Sequence, residues 1–367
     1  MFLKKILLKN FRNYSFLEYE FKKNKTLFTG KNAQGKTNLL EAVYYLSALD
    51  SVRIKKDSEL IKFDEQTMNI KGEVNKGDVD IDLDILINPP KNKILKVNGI
   101  KKNKNKDFIR VLSVVSFSIS DLLLLRGEPQ DRRKWLDLAI MQVYPAYSDK
   151  LAKFNKIRLQ KANYISNFGV TGDMLDVFNE QLSIASSNIV YLRMKYINEI
   201  KEIAKLKHNS ISGSEILDIS YESDVIKEMI PINEMTEIFR HKLYENKQKE
   251  IQRGACLIGA HRDDICFKIN NNDARKYASQ GQQRTLVLAL KLSELDIISD
   301  KTGSSPLLLL DDVLAELDDK RQNFLLKSIK TNIQTIITSV DTFFFDKEFL
   351  SDVDIVNIKD GNIIQGS

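Results

Sequence analysis

A chain of 367 residues is long enough for two or three domains and a large buried core, and its ordinary hydrophobic fraction suits a soluble protein. Its 56 basic and 50 acidic residues leave a formal charge of +6, which permits nucleic-acid contact without demanding it, because local patches matter more than the sum. Two cysteines, Cys256 and Cys266, exclude a disulfide framework and point to a cytoplasmic protein; a stretch charged from Lys4 excludes a signal peptide, and no run approaches the ~20 apolar residues of a membrane helix.

The opening 120 or so residues predict strands around one helix. Residues 2–8 and 17–21 are short apolar-rich runs, and Lys25 to Thr29 leads into Gly30. Leu39, Leu40, Val43 and Leu46 recur at helical spacing, which predicts a helix from about Thr37 to Leu49. Val79, Ile81, Leu83, Ile85 and Ile87 alternate with polar residues, as in a half-buried strand, and Asn98-Gly99 predicts a tight hairpin. From about Asp121 to Gln252 the pattern turns helical and polar. Asp149 to Asn167 and Gly172 to Lys207 carry apolar residues three and four apart, with Leu182, Ile189, Leu192, Tyr196 and Ile200 in one core-facing stripe. No heptad is sustained long enough for an extended coiled coil. After Gly254 the strand signals return. Ile265 to Ile269 is a strand followed by a turn at Asn270 to Asp273, and a helix is expected from about Gln282 to Ile298. Leu307 to Leu310 and Ile333 to Val340 read as buried strands, with a helix at Asp318 to Lys330 between them.

Gly30-Lys31-Asn32-Ala33-Gln34-Gly35-Lys36-Thr37 matches G-x-x-x-x-G-K-[ST]. The glycines let successive backbone N–H groups turn toward phosphate oxygens, Lys36 reaches the β- and γ-phosphates, Thr37 ligates Mg²⁺, and the helix start adds its positive dipole end. Chance alone would produce the pattern in roughly one chain in a hundred of this length. Here it stands between a predicted strand and a predicted helix, the setting it requires. Leu307 to Leu310 delivers Asp311 to a strand end, where it can hold Mg²⁺ through water. Asp312 follows, placed to orient or deprotonate an attacking water. Ser279-Gln280-Gly281-Gln282 resembles the S-x-G-Q signature of ABC-type ATPases, and Leu314-Ala315-Glu316-Leu317-Asp318 resembles the loop that crosses their dimer interface.

Further segments resemble the RecF family of bacterial recombination-mediator ATPases. They are Phe11-Arg12-Asn13-Tyr14, Gly127-Glu128-Pro129 with Arg132-Arg133 and Leu136-Asp137, Gly259-Ala260-His261-Arg262-Asp263-Asp264, and Asp311 to Asp318. They run in the family's order and cover nearly the whole chain. Three segments depart from its pattern. Phe117 to Leu122 lacks the proline and acidic pair expected where the class places its Gln-bearing switch loop, Ser51-Val52-Arg53 lacks a polar residue at its centre, and Thr338 to Asp341 holds no histidine switch.

The expected fold is an α/β ABC-type P-loop ATPase head of two lobes with a mixed sheet, interrupted by a mainly helical domain. The head is expected at residues 1–115 and 255–367, and the helical domain at residues 116–254. The resemblance implies ATP and Mg²⁺ as cofactors. The expected nucleotide contacts are Arg12, Asn13, Gly30, Asn32, Ala33, Gln34, Gly35, Lys36, Thr37 and Asn38, with Ser279, Gly281 and Gln282 from a second copy; Lys36, Asp311 and Asp312 carry catalysis, and Thr37 and Asp311 the metal. It implies an ATP-dependent homodimer that clamps double-stranded DNA near single-strand gaps, hydrolyses ATP slowly, and supports loading of RecA with the partners RecR and RecO. No membrane partner is expected. The alternatives are the nucleotide-binding subunit of a transporter, an SMC-like structural tether and a small-molecule kinase. His261 reads as structural, and Asp263 and Asp264 as structural or as positioning a DNA-binding domain, with no nuclease-like metal spacing. Lysines 91, 93, 96, 101, 102, 104 and 106, and separately Arg132, Arg133 and Lys134, are candidate DNA-backbone contacts against a bland reading as solvated charge.

Overall fold

A computed structural model describes residues 1–364 apart from Val52, Lys55, Asn92, residues 168–171, Lys330 and Thr331; the Asn167 side chain also lies outside the description. Val52, the centre of the Ser51–Arg53 departure, and Lys330, the expected end of a helix, therefore fall outside it. The chain forms two compact units, residues 1–122 with 210–213 and 284–367, and residues 123–209 with 214–283.

The first unit begins with β1 (Phe2–Phe11), β2 (Tyr14–Glu20), β3 (Lys25–Thr29) and α1 (Lys36–Ala48). It continues through β4 (Met68–Lys76), β5 (Val79–Ile87), β6 (Ile94–Val97), β7 (Ile100–Lys102), α2 (Asn105–Ile109) and β8 (Val114–Ser118). One sheet is antiparallel, in the order β2-β1-β4-β5-β6-β7. The β6–β7 turn is the expected hairpin, with Asn98 at φ 50° and Gly99 at φ 74°, the left-handed pair that a two-residue turn of this kind requires.

The second unit contains α3 (Leu123–Arg126), α4 (Pro129–Val143), α5 (Tyr147–Asn167) and the 41-residue α6 (Gly172–Ser212), whose last residues, from Ser210, belong to the first unit. It continues with β9 (Leu217–Glu222), α7 (Ile232–Glu245), α8 (Lys247–Arg253), β10 (Asp264–Ile269), β11 (Asn272–Asp273) and α9 (Ala274–Tyr277). In α6 the expected stripe is buried: Leu182, Ile189, Tyr196 and Ile200 are fully covered and Leu192 is half-buried. Residues 255–283, expected in the head, cluster instead with this unit. The cause is pairing: β10 is hydrogen-bonded between β9 and β11, and α4 packs on it through Trp135 against Phe267.

Helix α10 (Gln280–Thr302) crosses the boundary between the units at Gln283. The first unit then closes with β12 (Leu307–Asp311), α11 (Asp319–Ser328), β13 (Thr335–Ser339), α12 (Lys347–Ser351), β14 (Val353–Lys359) and β15 (Asn362–Ile364). These strands build a second sheet in the order β15-β14-β3-β13-β12-β8, parallel except for the β14–β15 hairpin. Leu307 to Leu310 are at most 1% exposed, as a continuous apolar run on a strand covered on both faces demands. Helix α1 contacts β1 and β4 of one sheet and β8, β12 and β13 of the other. That is why Leu39, Ala42, Val43, Tyr45 and Leu46, which do not share one narrow face, are all fully buried. Among the described residues no helix is long and apolar enough to cross a membrane.

Candidate nucleotide site

The loop between β3 and α1 lies at the C-terminal edge of the parallel strands, where ligands of open α/β sheets bind. Its backbone turns through Gly30 at φ 150°, Ala33 at φ 64° and Gly35 at φ 109°. Gly35 is also required by space, since a β-carbon there would sit 2.6 Å from Asn13 Nδ2 and 2.9 Å from the Tyr14 hydroxyl. Lys36, 4% exposed, folds back across the loop, its ammonium donating to the carbonyls of Gly30 at 2.7 Å and Lys31 at 3.1 Å. Asn32 and Ala33 are exposed at the loop's outer edge. Gln34 is held from the far end of the chain: its side-chain oxygen accepts from Asp360 N at 2.6 Å and its carbonyl from Gly361 N at 3.1 Å.

Asp311 stands at the C-terminus of β12, the strand beside β13. Its Oδ1 accepts from Thr37 Oγ1 at 2.9 Å and from Thr338 Oγ1 at 2.8 Å. Burial pushes its carboxyl above the usual range, against the two threonine hydroxyls, which favour the ionised form. A hydroxyl and a buried carboxylate side by side are hard oxygen donors, so Thr37 and Asp311 fit Mg²⁺, whose charge would relieve the burial of that carboxylate. Asp312 adopts φ 52°, unusual for a non-glycine residue, and is fixed by its N–H on Thr338 Oγ1 at 3.0 Å.

Arg12 and Asn13 form the tight turn between β1 and β2. Asn13 lies against Gly35, accepting from Asn38 Nδ2 at 2.8 Å. Arg12 is committed to the Glu41 carboxylate and to the Glu59 carbonyl. Tyr14, fully buried, donates to the Gly35 carbonyl at 2.9 Å, and burial raises its phenol. Tyr14, Glu41, Thr338 and Asp360 were not among the expected site residues. Tyr14 stands inside the Phe11–Tyr14 motif and Thr338 inside the segment that lacks a histidine, and Glu41 is marked by being charged amid the apolar Leu39 to Val43.

Ser279, Gly281 and Gln282 belong to the second unit. Ser279 caps α10: its hydroxyl accepts from Gln282 N at 3.2 Å, and its own N–H donates to Gln282 Oε1 at 2.8 Å. Gln282 Nε2 donates to Glu215 at 2.8 Å. Ser279 is exposed at this helix start. In the first unit, Arg284 pairs with Glu316, and Gln322 donates to the carbonyls of Leu314 and Leu317 at 2.7 and 2.9 Å, which fixes the loop after Asp312.

Other candidates resolve as structure. Arg132, 1% exposed, grips Asp264 with a fork at 2.7 and 2.9 Å, so it is no surface contact for DNA; its charge run in sequence concealed a buried ion pair. Lys93 turns inward to Asp57, Tyr45 and Leu49. His261 Nε2 donates to the Cys256 carbonyl at 3.1 Å, and burial lowers the ring's pKa to about 4, so it stays neutral near pH 7. Asp263 accepts from Tyr221 at 2.6 Å, and no cluster of metal-ligating side chains stands among the described residues. Burial pushes both thiols up to about 11.

Comparison with known proteins identifies the family. The family described as RecF/RecN/SMC N terminal domain matches residues 2–361. The DNA replication and repair protein RecF of Natranaerobius thermophilus is 40% identical over 367 residues, covering 97% of this chain and 94% of its own. That of Halalkalibacterium halodurans is 38% identical over 368 residues, covering 99% of both. A solved structure of the recombination mediator protein RecF with ATP in the RecFOR pathway superposes with TM-score 0.91 at 34% identity, covering 100% of this chain and 97% of that one. An Smc head bound to the C-terminal winged-helix domain of ScpA shares the fold at TM-score 0.55 and 15% identity. With loop, strand-end aspartates and helix-capping serine each in the family's order, the chain belongs to the RecF family of DNA replication and repair proteins, an ABC/SMC-type ATPase family.

Proposed function

We propose that the chain is an ATP-driven DNA switch of recombinational repair and replication restart. The observation that carries the reading is the convergence of Thr37 and Thr338 on the buried Asp311, directly beside the phosphate loop. Thr37 and Asp311 would hold Mg²⁺, the second through water, and the bound ion would neutralise phosphate charge. The backbone N–H groups of residues 32–37 and the Lys36 ammonium bind the phosphates, the lysine exchanging its two carbonyl partners for phosphate oxygens. Asp312, held in its strained conformation by Thr338, orients the attacking water. It is one methylene shorter than the glutamate of faster ABC engines, which supports slow turnover.

Lys36 and Ser279 belong to different units, and Ser279 is exposed at a helix start, which supports a site completed by Ser279, Gly281 and Gln282 of a second copy. The resulting homodimer would clamp duplex DNA by its backbone near a gap and release it on hydrolysis. The relative's RecFOR pathway supports RecR and RecO as partners, and the family resemblance implies RecA loading as the outcome.

Light scattering with Mg²⁺ and ATP tests this. Wild type should be monomeric without nucleotide and dimeric with it; Asp312→Asn should prolong the dimer, and Lys36→Met and Ser279→Arg should abolish it. A wild type that hydrolyses ATP while monomeric refutes the shared site.

A further inference from the structure

Glu41 lies in the second turn of α1, five residues beyond Lys36, with its side chain 4% exposed. A carboxylate so placed must be paired, because it has lost its hydration. It takes four donors: Arg12 Nε and Nη2 in a fork at 2.9 and 2.8 Å, Ser51 Oγ at 2.6 Å and Arg53 Nη1 at 3.1 Å. Two guanidiniums share one carboxylate, so this cluster retains one positive charge in excess.

That excess is tied to the start of α1. Arg53 Nη1 also donates to Asn38 Oδ1 at 3.0 Å, Asn38 donates to Asn13, and Asn13 lies against Gly35. Arg12 reaches its place with φ 52°, a conformation disfavoured for a non-glycine residue and held here by its N–H on the Leu60 carbonyl at 2.8 Å. The two arms differ. Arg12, 20% exposed, makes two parallel bonds to Glu41, whereas Arg53, 44% exposed, makes one longer bond.

We propose that Glu41 is a positioning residue of the phosphate site, holding Arg12 firmly and Arg53 loosely beside the loop so that their surplus charge meets an anion there. The inference rests on the nucleotide reading above. A purely structural Glu41, tying the β1–β2 turn to α1, would affect melting alone; a positioning Glu41 also affects nucleotide affinity in the folded protein.

The experiment titrates the full chain with a fluorescent ATP analogue and Mg²⁺, well below each variant's melting midpoint. Glu41→Asp keeps the charge and withdraws the carboxylate by one methylene, while Glu41→Gln keeps the length and removes the charge. Both should bind about tenfold more weakly than wild type, the scale of one charge-assisted hydrogen bond. Wild-type affinity in folded Glu41→Asp overturns the proposal. So does tighter binding by Glu41→Gln beside an unchanged Glu41→Asp, which would make Glu41 a charge neutraliser only. If Glu41→Asp does not fold, Ser51→Ala removes one donor while leaving both ion pairs and should lose about threefold, half of one such bond on a logarithmic scale; unchanged affinity there overturns the proposal. Lys36→Met serves as control. If wild type binds and Lys36→Met does not, the nucleotide reading stands whatever Glu41 does; undiminished binding by Lys36→Met removes that reading and this role with it.

Discussion

Replacing Thr338 with valine removes a hydroxyl and keeps the branched shape of a residue that is 2% exposed. Two short bonds disappear, the donation to Asp311 Oδ1 at 2.8 Å and the acceptance from Asp312 N at 3.0 Å, together with a longer 3.4 Å approach of the same hydroxyl to the Leu310 carbonyl. A hydrogen bond to an ionised carboxylate contributes about 1.5–3 kcal/mol, and a buried N–H left without a partner costs about 1–3 kcal/mol. The added methyl returns up to about 0.8 kcal/mol. The net loss is about 2–5 kcal/mol, and at about 2–4 °C per kcal/mol for a cooperative unit of roughly 200 residues the first unit should melt at least ~4 °C lower. Asp312 also loses the anchor of its left-handed backbone, and each ~1.4 kcal/mol of lost positioning is one decade of rate. ATP hydrolysis should therefore fall about tenfold or more, with a smaller change in nucleotide affinity, because Thr338 does not touch the phosphate loop. Scanning calorimetry and a phosphate-release assay on the same preparation check both effects. Wild-type melting together with wild-type turnover would refute the assignment of Thr338 as the support of both aspartates.

Two further outcomes follow from the same geometry. Tyr14→Phe deletes the bond to the Gly35 carbonyl and should cost about 1 kcal/mol and weaken ATP binding several-fold by calorimetric titration; unaltered affinity would show that the loop keeps its shape without this brace. The raised pKa of Asp311 makes the nucleotide-free protein pH-sensitive in a defined direction. Between the unfolded value of about 4 and the higher folded one, the folded state binds more protons, so stability is fully present below that window, falls as pH rises through it and levels off above. Asp311→Asn should abolish that slope in a melting series, and an identical slope in both proteins would assign it elsewhere.

The loop that carries the phosphate pattern and the helix after it were legible because local rules suffice for them. The phosphate pattern needs only eight residues in order, and α1 announces itself by apolar spacing. The Asn98-Gly99 hairpin and the apolar run before Asp311 carry equally local signals. What failed required long-range pairing. Residues 255–283 were assigned to the head because β10 reads as a strand of any sheet, and only its partner β9 places it with the helices. Arg132 looked like surface charge because Asp264, its partner, stands 132 positions away. Thr338 was quoted only for lacking a histidine nearby; nothing local says that β13 inserts between β3 and β12 and carries it to Asp311. Glu41 needed three segments, around residues 12, 41 and 53, brought together before its burial had meaning.

The strand order of the parallel sheet also bears on how the protein comes into being. Strand β3, which carries the phosphate loop, is flanked by β13 and β14, and Gln34 is gripped by Asp360 and Gly361. Every one of those neighbours is translated some 300 residues later, an interval of roughly 16–65 s at ribosomal rates of about 5–20 residues per second. During that time Leu27 and Phe28, both fully buried in the finished protein, belong to a strand with two open edges, a template for unwanted pairing. Residues 123–209 with 214–283, which form a compact unit of their own, can assemble meanwhile. The backbone brace that Asp360 and Gly361 give Gln34 thus forms only once the β14–β15 hairpin has been made.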